Sequence, residues 1–135
     1  MVKMYEEWLK AAYDDIILLN DIIDNKHITN LIAFHSQQVV EKALKGYLEY
    51  KKQNIPKIHK IQTLVDIVDI DFNKYDNLIQ LLDSLYIDSR YPGDMGLLPY
   101  GKPTIEDAKE FYDFAIKVFN TICNILNLNL IKNTK

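Results

Sequence analysis

With 135 residues, an apolar share of 48% and a charged share of 26%, the chain has material for one domain with a sizeable core and too little for two ordinary ones. No apolar run approaches the roughly 20 residues that cross a bilayer, and the opening Met1-Val2-Lys3-Met4-Tyr5-Glu6-Glu7 lacks the apolar centre of a secretory signal, so a cytoplasmic protein without membrane contact is expected. A net charge of −3, with Arg90 the sole arginine, excludes a general grip on duplex DNA but leaves room for a local lysine patch that holds one nucleotide or a short RNA.

Tyr5, Trp8, Leu9, Ala12, Ile16, Leu19 and Ile23 recur at three- and four-residue steps and predict a first amphipathic helix over about 4–24, ended by Asn25 and Lys26. A second helix is expected over about 29–52, with Thr29 or Asn30 as its cap. At 100° per residue its core side carries Ile32, Ala33, Ser36, Val39, Val40, Ala43, Leu44, Tyr47 and Leu48. Opposite them fall Gln38, Glu41, Lys42, Lys45 and Glu49, together with Leu31 and Phe34. Two apolar residues on a water-facing strip mark either a dimer or ligand surface or a helix whose neighbours wrap further round it.

After Pro56, a short helix is expected over 59–68, apolar at Ile61, Leu64, Val65 and Val68. A further helix begins near Asn73 and puts Tyr75, Leu78, Ile79, Leu82, Leu85 and Tyr86 on one side. It stops near Arg90, because the residue before Pro92 is pushed out of helical geometry. Residues 92–103 hold three of the four glycines and three of the four prolines and must form a loop longer than connectivity demands. Thr104 and Asp107 have capping-box spacing and open a last helix that turns Ala108, Phe111, Ala115, Val118, Ile122 and Ile125 inward. Cys123 falls in an apolar helical pattern and reads as a buried, inert thiol. The expected fold is all-α, an up-and-down four-helix bundle with a short extra helix, as a single domain over 1–135 with its core at about 5–127 and a frayed tail over 128–135.

Three polar islands carry the available chemistry. The first is the second-helix face with His35, Gln38, Glu41, Lys42 and Lys45; the others are His59 and the run Asp88-Ser89-Arg90-Tyr91-Pro92-Gly93-Asp94. Lys42 and Lys45 could hold phosphate as point charges, Arg90 could fork onto it and Tyr91 could stack on a base. Against that, Glu41 and the lysines could form surface pairs of little worth, and Arg90 could simply pin its loop. His35 is placed to donate to a ligand or a partner chain, whereas His59 reads as a local cap at a helix start. No histidine and acid set has zinc spacing and no phosphate-binding glycine loop is present, so neither metal nor cofactor is expected.

Taken together, Phe34-His35-Ser36-Gln37-Gln38-Val39-Val40-Glu41-Lys42-Ala43-Leu44-Lys45, His59 followed by Thr63-Leu64, and Ser89-Arg90-Tyr91-Pro92 resemble the HEPN family over about residues 5–127. The order of these motifs is similar to the family's Gln-Gln-x-x-Glu-Lys-x-Leu-Lys and Arg-Tyr-Pro branch. The resemblance implies a four-helix bundle, a homodimer, and a minimal nucleotidyltransferase partner in a toxin–antitoxin-type pair, with nucleotide or RNA binding. Many members are metal-independent ribonucleases with Arg, four to six residues, then His; here no histidine follows Arg90, so no catalytic residue is carried over.

The resulting expectation is a non-catalytic nucleotide- or RNA-binding and dimerisation module. Gln38, Lys42, Lys45, Arg90 and Tyr91 would touch the ligand, His35, Glu41 and His59 would support them, and Leu31 and Phe34 would form the dimer face. The alternatives are an atypical ribonuclease or nucleotide hydrolase with His35 as base and Arg90 stabilising phosphate, and a purely structural adaptor.

Overall fold

A computed structural model describes residues 3–85, 96–98 and 101–130. Its central element is α2 (Thr29–Tyr50), which packs along its length against α1 (Met4–Ile22) on one side and α5 (Ile105–Leu126) on another. Two short helices, α3 (Ile61–Ile67) and α4 (Asp76–Asp83), close the remaining side, each preceded by irregular chain or a 3-10 turn. The all-α architecture predicted by the periodicity is the one formed, as three long helices and two short ones among the described residues. None of these helices is long and apolar enough to cross a membrane.

The core is continuous. Leu9, Ala12 and Leu19 meet Val40, Ala43, Leu44 and Leu48, and Ile61, Leu64, Ile79 and Leu82 complete it with Phe111, Phe114, Val118, Phe119 and Ile122. α1 and α2 approach so closely at Gly46 that a Cβ there would collide with Leu9 Cδ2 and lie 3.0 Å from Trp8 Cβ. Burial pushes the Cys123 thiol up to about 11, which leaves it protonated at neutral pH.

The capping box at Thr104 and Asp107 is present in both directions, at 3.0 and 3.2 Å. Other boundaries differ from expectation. α2 is preceded by Ile28, so neither Thr29 nor Asn30 is its cap; both are helical and buried. α3 starts at Ile61 rather than His59, and its free amides are taken by a carboxylate from elsewhere: Ile61 and Gln62 donate to Asp83 at 2.6 and 3.0 Å. α4 ends at Asp83, where Ser84 Oγ donates to the Leu81 carbonyl at 2.6 Å, well short of Arg90. Ala108, Phe111, Ala115, Val118 and Ile122 of α5 are buried as expected, whereas Ile125 is 47% exposed and Phe119, Cys123 and Leu126 complete the inward face.

The side of α2 read as water-facing is largely covered. Glu41 and Lys45 are only 5% and 6% exposed, and Gln38, Lys42 and Glu49 are half-buried. Of the two readings of that strip, the structure has neighbours wrapping round it: α1 and the segment entering α3 both lean over that side. Leu31 and Phe34 are half-buried rather than free.

Candidate functional site

Two buried carboxylates organise the polar side of α2, and each is clamped between one lysine and one histidine. Asp15, from the middle of α1, accepts from Lys42 Nζ at 2.7 Å on Oδ2 and faces His35 Nδ1 at 2.9 Å through Oδ1. Glu41, on α2 itself, accepts from Lys45 Nζ at 2.9 Å and faces His59 Nδ1 at 2.9 Å through Oε2. The helix builds this arrangement by spacing. His35, Gln38, Lys42 and Lys45 recur at three- and four-residue steps, so their side chains share a face, and Glu41 lies one turn before Lys45.

Glutamine amides tie the network together. Gln37 Nε2 donates to Glu41 Oε1 and to the His59 carbonyl, both at 3.1 Å, while Gln38 Nε2 donates to Gln37 Oε1 at 2.8 Å. Lys45 Nζ also lies 5.8 Å from the centroid of the Trp8 ring, within cation–π reach.

The electrostatics follow from these contacts. Burial pushes the Asp15 carboxyl up, but hydrogen bonds from His35 and Lys42 and the Lys42 charge outweigh it, and the group lies below its ordinary value. Glu41 behaves alike: burial opposes ionisation, and the bonds from His59, Lys45 and Gln37 overcome it. Both carboxylates are therefore ionised at neutral pH and can only accept, so each histidine donates from Nδ1 and turns Nε2 away from the acid. His59 is 68% exposed, which leaves its Nε2 open to solvent.

Each lysine is already paired, Lys42 with Asp15 and Lys45 with Glu41. Moving either onto a ligand would strip a charge partner from a shielded carboxylate. His59 is also not the local cap expected: it bonds across to Glu41, 18 residues away in sequence. His35 points at Asp15, a residue that sequence reasoning passed over. Its signal was present, because Asp15 falls on the stripe of Ala12, Ile16 and Leu19, where an acid must be buried and requires a cation.

Beside this network Gln37, His59, Lys60, Leu82 and Asp83 line a cleft of about 260 Å³. At the other end of α2, Gly96 adopts a φ of +75° and backs onto the Asn30 carbonyl and Phe34, so closely that a Cβ would strike the Asn30 backbone. Lys102 Nζ donates to the His27 carbonyl at 2.9 Å. Parts of the glycine- and proline-rich connection thus lie on the start of α2. Phe34 is partly covered there and meets the His35 ring edge-on, with centroids 5.1 Å apart. Arg90 and Tyr91, like Tyr86, lie outside the described residues. Among the described residues no three His, Cys, Asp or Glu side chains gather into a set of metal ligands.

These features define an all-helical bundle whose central helix carries a charge-paired polar stripe. The HEPN domain model matches residues 5–126, and the chain belongs to the HEPN family. It is similar to ST0689, an archaeal HEPN homologue of known crystal structure, with a TM-score of 0.67 and 28% identity over 92% of this chain and 98% of that one. No curated protein matches it.

Proposed function

We propose that the chain is a single-domain, cytoplasmic HEPN binding module that does no chemistry itself. It dimerises through the region of Leu31 and Phe34, docks a minimal nucleotidyltransferase in a toxin–antitoxin-type pair, and holds a nucleotide or RNA end. The observation that carries this reading is the internal pairing of the polar stripe. With Asp15 spent on Lys42 and His35, and Glu41 on Lys45 and His59, the stripe is a rigid set of oriented hydrogen-bonding groups. Such a set suits recognition.

In this assignment Gln38 and the outward Nε2 of His59 meet the ligand, and Lys42 adds field from its half-buried position. Glu41, Lys45 and His35 act from behind, fixing those groups. Arg90 and Tyr91 provide the phosphate fork and the stacking face. Calorimetry of the intact protein with mononucleotides and a short oligoribonucleotide tests the ligand half, and Arg90→Ala should weaken binding at least tenfold without altering helicity. Absence of heat with every ribonucleotide would remove it. Co-expression with a minimal nucleotidyltransferase tests the other half, with co-elution as the expected result and separate peaks as the refutation.

One observation favours a second reading, an atypical hydrolase. Asp15 holds His35 through Nδ1 as an acid orients a general base, which leaves Nε2 unengaged by the carboxylate. Turnover of RNA or a nucleotide that His35→Ala abolishes would establish it over the binding module.

A further inference from the structure

A second cleft, of about 420 Å³, runs between α4 with its preceding 3-10 turn and α5, and shares no lining residue with the one beside His59. We propose that it docks a helical segment of a partner protein carrying basic residues one turn apart beside aliphatic ones. The floor is apolar: Phe114 is buried, the Tyr75 ring lies 4.7 Å from it, and Leu78 and Leu81 extend the surface outward. Leu81 remains 39% exposed. The rim is acidic, with Glu110 and Asp113 exposed one turn apart on α5.

No cation among the described residues holds either carboxylate. Lys109 reaches to Asp24 at 3.2 Å instead, and Lys74, on the opposite wall, sits 5.2 Å over the Tyr75 ring. The chemistry of the occupant follows. An anion would be repelled by the rim, and a purely apolar group would desolvate two carboxylates without compensation. A lysine or arginine lays its aliphatic stem on Leu78 and Leu81 while its head reaches Glu110 or Asp113. Two acids at positions i and i+3 match two cations at the same spacing on a facing helix, which is the helix-in-groove mode of recognition. Occupancy here leaves the α2 stripe free, so this surface does not depend on what the stripe binds.

The test pans a random 12-residue phage-displayed peptide library against the full chain, then measures enriched peptides by fluorescence anisotropy. Wild type is compared with Glu110→Gln/Asp113→Asn and with Leu81→Ser, all at exposed positions, with helicity checked by circular dichroism. Enriched peptides should carry Lys or Arg three or four residues apart beside Leu or Ile. Their affinity should fall at least tenfold in each variant, and AMP should not displace them. The proposal is overturned if no peptide is enriched, if enriched peptides lack basic residues, or if the double variant binds them as wild type does. Equal affinity for 1-aminohexane alone would also overturn it, since a partner helix would then add nothing.

Discussion

Lys45 and Glu41 form an ion pair at 2.9 Å, with their side chains each 7% exposed, and this supplies the sharpest test of how α2 is held. Removing one member of a buried pair strands a charge and typically costs about 3–5 kcal/mol, whereas replacing both by groups of similar shape is often close to neutral. Glu41→Gln should therefore destabilise the protein by about 3 kcal/mol, since Lys45 loses its counter-charge and must share one neutral amide oxygen with His59. Lys45→Met should cost a similar amount, and the double variant much less than the sum. Urea unfolding followed at 222 nm gives the four free energies of the cycle. A coupling below about 0.5 kcal/mol would refute the argument, because independent sites add. The pH dependence has a definite sign. Glu41 titrates below its ordinary 4.5 when folded, so the stability it contributes is complete above about that pH and lost as pH falls through the folded value. The gap between wild type and Glu41→Gln should accordingly shrink in acid.

Gly46→Ala should lower stability by about 1–2 kcal/mol, because the overpacking of Leu9 and Trp8 exceeds the gain in helix propensity. An unchanged melting temperature would contradict that close approach. Asp83→Ala should cost about 1–2 kcal/mol and speed hydrogen exchange at the Ile61 and Gln62 amides above all others; uniform acceleration would argue against a cap. Cys123 should react with a disulfide reagent at pH 8 only after unfolding, and fast labelling of the native protein would show that its thiol is neither buried nor raised.

The local signals were legible where one helix settles the matter alone. Thr104 with Asp107 marked the start of α5, and the apolar steps of α1 and α2 marked their spans to within about two residues of those observed. What could not be read was anything set by a second element. The burial of Glu41 and Lys45 depends on Trp8 and on the segment entering α3, and a wheel drawn for α2 alone knows neither. His59 joins Glu41 and not its own helix for the same reason. Pro92 is the strong stop signal after α4 in the sequence, yet the helix ends earlier, where Ser84 bonds back to the Leu81 carbonyl. Asp15 was visible as an acid on an apolar stripe, but its two partners come from another helix.

The Asp83 carboxylate has one more consequence. It accepts from the two amides at the opening of α3 and stands in the wall of the cleft beside His59. An anionic guest in that cleft would have to evict this resident acid or place its charge elsewhere, because both amides are already committed.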